Sequence, residues 1–217
     1  MTETGDARRS FHESLDELRN DVIRLAAMVT EQIGAATQAL LDADLAAVEQ
    51  VIADDKPIDD LAEHIGDRLY VLMARQQPMA GDLRTIITLL RVLPELERSG
   101  DLMKNVAKAA RRLYPRELEP KVRGIVDQMG RQATRQMRVA IDAFADADVA
   151  EAAALADMDD AMDELTKSMF RTILSSLTPD EGELQKAMQL SLIGRFYERV
   201  ADHAVNIADR IAFMVGG

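Results

Sequence analysis

Apolar residues recur at helical spacing along almost the whole chain, and this periodicity restricts the fold more than any other feature. The first stripe alternates steps of four and three residues, which places its members on one helix face: Phe11, Leu15, Leu18, Val22, Leu25 and Val29. Similar stripes follow, with breaks near residues 42–44, 77–78, 114–115, 146–148 and 178–179. Pro78 and Pro115 stand at two of these breaks, where the ring removes a backbone N–H and restricts the preceding residue. The pattern predicts an all-α protein of six long helices.

The second half of the chain repeats the first. The segment 39–44, Ala-Leu-Leu-Asp-Ala-Asp, resembles Ala-Phe-Ala-Asp-Ala-Asp at 143–148, an offset of 104 residues. Beyond the next predicted loop the offset becomes 101, and Glu-Arg-Ser-Gly-Asp at 97–101 matches Glu-Arg-Val-Ala-Asp at 198–202. A change of this size costs little in a loop. We therefore predict two tandem, internally duplicated three-helix bundles, spanning residues 1–113 and 115–217.

Composition excludes several classes of function. The absence of Cys excludes disulfides, thiolate metal sites and Cys nucleophiles. A formal net charge of −12 opposes binding to nucleic acid, so we expect no nucleic-acid partner. No apolar run approaches the roughly 20 residues that span a bilayer, and residues 1–6 lack the pattern of a signal peptide. We expect a cytoplasmic protein that reaches the inner face of a membrane only through partners.

The segment 97–105 carries the most informative polar pattern. Glu97, Asp101 and Asn105 are spaced at i, i+4 and i+8, and they continue the apolar face formed by residues 86–93. Carboxylates at this spacing repel one another, and a half-buried carboxylate loses hydration. Compensation would come from a metal ion, from an Arg or Lys of another helix, or from exposure to water at the end of a bundle.

A second pair of acids precedes this strip in each half, at Asp55 and Asp59 and again at Asp159 and Asp163. Antiparallel neighbouring helices would bring each such pair against the Glu and Asp of the following helix. An oxygen-only site of this kind suits Fe, Mn, Mg or Ca better than Cu, and we expect Fe, Mn, Zn or Mg. The predicted ligands are Asp55, Asp59, Glu97, Asp101, Asn105, Asp159, Asp163, Glu198, Asp202 and Asn206.

Each of these acids has a structural alternative. Lys104 could neutralise the first strip, although Val205 replaces it in the second copy. Arg98 and Arg199 could form ion pairs across the bundle. Asp55 could instead cap a helix whose first turn contains Pro57.

Histidine offers few ligands, and catalysis has no candidate residues. We expect His203 in the core or at the surface and not as a ligand. The Glu-x-x-His pairs of di-iron bundle enzymes are missing from the sequence, and we predict no catalytic residues.

Three segments resemble the PhoU family of phosphate-uptake regulators: Ala-Arg-Gln-Gln-Pro-Met-Ala-Gly-Asp-Leu-Arg at 74–84, Glu-Arg-Ser-Gly-Asp at 97–101, and Glu-Arg-Val-Ala-Asp-His-Ala-Val-Asn-Ile-Ala at 198–208. The resemblance extends over nearly the whole chain. It implies two three-helix bundles with carboxylate-bound metal clusters at the eight Asp and Glu positions above. Ser99 and Ala201 depart from the family's common Glu-Arg-Ile-Gly-Asp, but the spacing of the acids is unchanged.

The resemblance also implies a function. Members of the family act as negative regulators of phosphate uptake and of phosphate-regulon signalling. We therefore expect a non-enzymatic adaptor between the cytoplasmic subunit of a phosphate ABC transporter and a sensor histidine kinase. The exposed faces of long bundles suggest a homodimer. Two alternatives are a metal-dependent hydrolase acting on a phosphate compound and a metal-free helical scaffold.

Overall fold

A computed structural model of the chain describes residues 3–75, 78 and 80–216, with side chains from residue 8 onward. Within these ranges the chain forms seven helices and no strand: α1 (Glu3–Leu41), α2 (Leu45–Arg75), α3 (Ala80–Leu113), α4 (Pro120–Asp146), α5 (Val149–Ala153), α6 (Leu155–Ser176) and α7 (Glu181–Gly216). The all-α prediction is confirmed, with six long helices and the five-residue α5. Of the residues singled out in the sequence, Gln76, Gln77 and Met79 of the segment 74–84, and both chain ends, lie outside the described residues.

The helices pack as two tandem bundles, as predicted. Helices α1, α2 and α3 contact one another in the first unit, and α4, α6 and α7 do so in the second. The short α5 lies against α4 and α7. The two units meet where α3 packs on α7 and α1 packs on α4, and their apolar side chains form one continuous core. None of the helices in the described ranges is apolar over enough of its length to cross a membrane.

The two Ala-Asp segments at 43–44 and 147–148 form the same turn. Ala43 and Ala147 have left-handed backbone conformations, with φ of 49° and 55°, and each follows the end of a helix. Asp44 Oδ1 then accepts hydrogen bonds from the backbone N–H groups of Ala46 and Ala47, at 2.9 and 3.1 Å. Asp148 Oδ1 caps α5 in the same way. The repeat in the sequence is therefore a repeat of local structure.

The helix start at Leu45 corrects one alternative from the sequence. Asp55 does not cap a helix, because α2 begins ten residues earlier and Asp44 caps it. Pro57 lies inside α2. The division of the second copy into α5 and α6 at Ala154 was not predicted, since no Gly or Pro lies between residues 149 and 155.

Close contacts join the units at their centre. The Tyr197 hydroxyl of α7 lies 2.8 Å from Thr37 Oγ1 of α1, and both side chains are buried. Thr37 donates its own proton to the Ile33 carbonyl, so Tyr197 donates in the shared bond. Gly130 of α4 faces the same threonine, and a Cβ added there would lie only 2.9 Å from Thr37 Cβ and closer still to the ends of that side chain. Glycine therefore allows α1 and α4 to approach closely.

Candidate metal centres

The first unit brings its two predicted acidic pairs together on adjacent helices. Asp55 and Asp59 lie on α2, and Glu97 and Asp101 lie on the neighbouring α3. Only Asp55 is fully buried: Asp59 is half-buried, the Asp101 side chain is 51% exposed and Glu97 is exposed. The sequence placed the half-buried acids on α3, whereas the structure buries the acid of α2.

Lys104 supplies the compensation in this unit. Its ammonium contacts the Asp55 carboxylate directly and lies 2.6 Å from Asp101 Oδ1, so that it joins α2 to α3. Burial alone would lower the pKa of Lys104, but the hydrogen bonds to Asp101 and Asp55 and the attraction of both carboxylates raise it. The ammonium is therefore firmly charged, and the alternative in which Lys104 neutralises the acidic strip of its own helix is present at Asp101 and extends to Asp55 of α2.

A buried glutamine supports one acid of each cluster, and sequence reasoning missed both. Gln32 of α1 donates through Nε2 to Asp55 Oδ1 at 3.3 Å, and Gln136 of α4 donates to Asp159 Oδ1 at 3.3 Å. Among the described residues, the Oε1 atoms of both amides are buried without a hydrogen-bond partner. The available signal was the repeat itself, because Gln32 and Gln136 are separated by the same 104 residues as Asp55 and Asp159.

Gly100 lets α3 approach this group in the first unit. A Cβ at residue 100 would lie 3.2 Å from Gln32 Oε1 and 3.5 Å from Asp55 Oδ1. The second unit has Ala201 at the matching position. The packing around the two acids is therefore similar but not identical.

The second unit also assembles its acids on adjacent helices, α6 and α7, and in the described part of the chain these acids form no ion pair other than that of Glu198 with Arg195. Asp159 and Glu198 are half-buried, and Asp163 and Asp202 are exposed. Val205 occupies the position of Lys104. Arg195 forms an ion pair with Glu198 one turn away on α7, but its side chain is 52% exposed and lies at the rim.

Electrostatics distinguish the second cluster from an ordinary solvated surface. Burial and the neighbouring Asp202 and Asp163 raise the pKa of Asp159, against the effect of the hydrogen bond from Gln136. Loss of hydration and the repulsion of Glu198 raise the pKa of Asp202, and Arg195 opposes this only in part. Burial and the nearby Asp55 similarly raise the pKa of Asp59 in the first unit. The second cluster, and Asp59 in the first, therefore carry negative charge that their surroundings neutralise only in part.

The two predicted asparagine ligands make no hydrogen bonds to these acids among the described residues. Asn206 Nδ2 donates to Glu95 Oε2 at 3.2 Å, across the contact between α7 and α3. The Nδ1 atom of the buried His203 lies 2.5 Å from the same Glu95 oxygen. His203 is therefore in the core, which is one of the two positions expected for it, and Arg98 pairs with Glu95 within α3 at 3.8 Å instead of across the bundle.

The chemistry of the donors suits a hard divalent cation. Each cluster consists of carboxylate groups, and beside it lies a buried amide oxygen that has no hydrogen-bond partner among the described residues. In the described part of the chain, however, no three Asp, Glu or His side chains converge closely enough to hold a metal ion as they stand. Coordination would require rotation of the exposed carboxylates, and the metal ligands remain a prediction.

Known proteins resemble this chain over almost its full length. The PhoU domain family model matches twice, at residues 22–110 and 126–211. A protein of Mycobacterium tuberculosis named phosphate-specific transport system accessory protein PhoU homolog 2 is 38% identical over 211 residues, which covers 97% of this chain and 98% of the relative. The crystal structure of PhoU from Pseudomonas aeruginosa matches with a TM-score of 0.89 at 30% identity, covering 94% of this chain and 98% of that one. A phosphate transport system regulatory protein PhoU from Streptococcus pneumoniae matches with a TM-score of 0.85 at 27% identity, covering 95% and 97% of the two chains.

Proposed function

This chain belongs to the PhoU family, and we propose that it is a non-enzymatic negative regulator of phosphate uptake and of phosphate-regulon signalling. It acts as an adaptor between the cytoplasmic subunit of a phosphate ABC transporter and a sensor histidine kinase. One observation carries this proposal: both repeats match the family, and the relatives that align over nearly the whole chain are named as accessory proteins of phosphate-specific transport.

Two rows of exposed apolar side chains support contact with another protein. On α6 the row has spacing i and i+4 and is followed by an exposed leucine directly after the helix end, and on α7 the row has spacing i, i+4 and i+8; the members are Phe170, Leu174, Leu177, Leu184, Met188 and Leu192. Leu174 is 68% exposed and Met188 is 55% exposed. Both rows adjoin the loop that joins α6 to α7. Apolar residues scattered singly on a surface are ordinary, but rows at helical spacing are typical of faces that pack on a partner.

The proposal includes bound metal as a structural element. Asp159, Asp163, Glu198 and Asp202 would hold a divalent ion, whose charge would relieve their repulsion and link α6 to α7. The Gln136 amide beside them would orient Asp159.

A reporter of phosphate starvation tests the regulatory role. Deleting the gene in its own host should switch the reporter on in phosphate-rich medium, and the wild-type gene should switch it off again. The double variant Leu174→Ser, Met188→Ser should fail to restore repression while the protein remains folded and abundant. Val149→Ser, which changes an exposed apolar residue outside the two rows, should restore it. Normal repression in the deletion strain would refute the regulatory proposal.

Two biochemical measurements complete the test. Protein purified from membranes of its host should retain the transporter's ATPase subunit or the kinase, and the double variant should retain less. The metal-loaded protein should release no phosphate from phosphoesters. Turnover that disappears in Asp202→Ala would instead support a metal-dependent hydrolase.

A further inference from the structure

Lys104 lies where a metal ion would have to join the acids of the first unit. Its ammonium contacts Asp55 on α2 and Asp101 on α3, and the Asp55 side chain is only 3% exposed. A divalent ion between these two carboxylates would have to displace a cation that both already hold, and the two positive charges would repel each other. Asp55 and Asp101 therefore already share a counter-ion that is part of the chain.

The matching position of the second unit carries no charge. Val205 follows Lys104 by the same 101 residues that separate Glu97 from Glu198. Among the described residues, Asp163 and Asp202 make no hydrogen bond or ion pair, and both are exposed. Their side chains can therefore turn toward a cation, whereas Asp55 and Asp101 are held in place by Lys104.

Arg195 does not play the part of Lys104. Among the described residues it pairs only with Glu198, on its own helix, and 52% of its side chain is exposed compared with 21% for Lys104. An exposed ion pair of this kind contributes little to stability and can open at little cost. Arg195 is therefore largely exposed at the edge of the second cluster, whereas Lys104 is mostly buried between Asp55 and Asp101 of the first.

A buried amide oxygen beside each cluster has no hydrogen-bond donor among the described residues. Gln136 is fully buried and donates to Asp159 through Nε2, while its Oε1 has no donor. A buried acceptor without a donor is costly, and the water shell of a bound cation would supply one. Gln32 has the same unpartnered oxygen in the first unit, so the difference between the clusters comes from the ammonium and not from the amides.

We propose that the first cluster does not fit the divalent metal of the proposed function, because Lys104 already takes the place of the metal there. This inference rests on the metal part of the proposed function. It concerns hard divalent cations such as Mn²⁺ or Fe²⁺, since the donors are oxygen atoms.

Metal content separates the two clusters. The full-length protein is stripped with a chelator, incubated with Mn²⁺ alone, desalted and analysed by elemental mass spectrometry. The variant Asp159→Asn, Asp202→Asn should lose the bound Mn²⁺. The matched variant Asp55→Asn, Asp101→Asn should keep the wild-type amount. Loss of Mn²⁺ from the first-cluster variant would overturn the proposal.

Exchanging the residue types at positions 104 and 205 should change the Mn²⁺ content in opposite directions. Lys104→Val should open the first cluster and raise the Mn²⁺ content about twofold, because each unit then offers an oxygen-only site. Val205→Lys should abolish binding at the second cluster. Unchanged Mn²⁺ content in both variants would overturn the proposal.

Stability provides a readout if Lys104→Val leaves Asp55 too poorly compensated to fold without metal. In that case the variant should refold only with Mn²⁺, and its melting temperature should rise with Mn²⁺ more than that of the wild type. Equal metal at both clusters of the wild type would refute the role of Lys104 and leave metal binding intact. No Mn²⁺ in any variant would refute metal binding altogether, and the reporter experiment would still decide the regulatory role.

Discussion

At the scale of single residues, the equivalent carboxylates Asp55 and Asp159 have different environments in the two repeats. Asp55 is buried and held by Lys104 and Gln32, whereas Asp159 is half-buried and held by Gln136 alone. A carboxylate removed from water requires hydrogen bonds or a positive charge. Because Val205 stands at the position equivalent to Lys104, Asp159 has a hydrogen bond without a positive charge, whereas Asp55 has both.

The raised pKa of Asp159 leads to a prediction about pH. Because the folded protein holds the proton of Asp159 more tightly than the unfolded chain does, the associated stability is present below the ordinary pKa of 3.8 and is lost as the pH rises through the raised value. Asp159→Asn should therefore increase the free energy of unfolding of the metal-free protein at neutral pH. The increase should shrink as the pH falls toward 3.8.

Urea unfolding in the presence of a chelator, followed over this pH range, measures the effect. The asparagine carbonyl can still accept the hydrogen bond from Gln136, so the variant changes charge with little change in shape. Asp209→Asn, at an exposed position of α7, is the control and should show no such trend. A neutral-pH loss of stability in Asp159→Asn would contradict the assignment of charge repulsion at this cluster.

At the scale of helices, the crossing of α1 and α4 depends on one glycine. A methyl group at residue 130 would overlap the Thr37 side chain. Gly130→Ala should therefore destabilise the protein by about 1–3 kcal/mol, in spite of the better helix propensity of alanine. Chemical denaturation gives the difference directly.

A second glycine of the same helix serves as the control. A Cβ at Gly124 would meet no atom within 4 Å. Gly124→Ala should therefore stabilise the protein by about 0.5–1 kcal/mol, since it reduces only the freedom of the unfolded chain. If both substitutions stabilised the protein, the close approach of α1 to α4 would be wrong.

At the scale of the whole molecule, the two repeats form one cooperative unit. Their apolar side chains make a continuous core, and the bond between Tyr197 and Thr37 crosses the boundary inside it. Burial raises the pKa of Tyr197 well above its ordinary value, so its hydroxyl stays protonated and remains a donor. We expect a single unfolding transition for both halves, detected alike by circular dichroism and calorimetry.

A double-mutant cycle tests the contact between the halves. Tyr197→Phe should cost about 1 kcal/mol, because Thr37 keeps its bond to the Ile33 carbonyl. Thr37→Val should cost more, since it leaves the Tyr197 hydroxyl buried without an acceptor. The double variant should recover part of that loss, and simple additivity of the two costs would contradict the direct bond.

The repeat in the sequence determined much of the architecture. The helical stripes and the two Ala-Asp segments predicted six long helices in two bundles, and the matched acids were assigned correctly to neighbouring helices. The division at Ala154 was missed, because local propensity there favours a continuous helix. The capping role considered for Asp55 was wrong, because Asp44 offers the better cap at a turn with a left-handed residue.

Periodicity identifies which residues share a face of one helix, since that depends only on 3.6 residues per turn. The sequence by itself therefore determined the helices, the duplication and the pairs of acids. Only the tertiary structure decided which acid is buried, that Lys104 reaches from α3 to Asp55, and that Gln32 and Gln136 lie beside the clusters. These contacts join residues far apart in the chain, and they depend on the distance and rotation between packed helices, which no periodicity within one helix specifies.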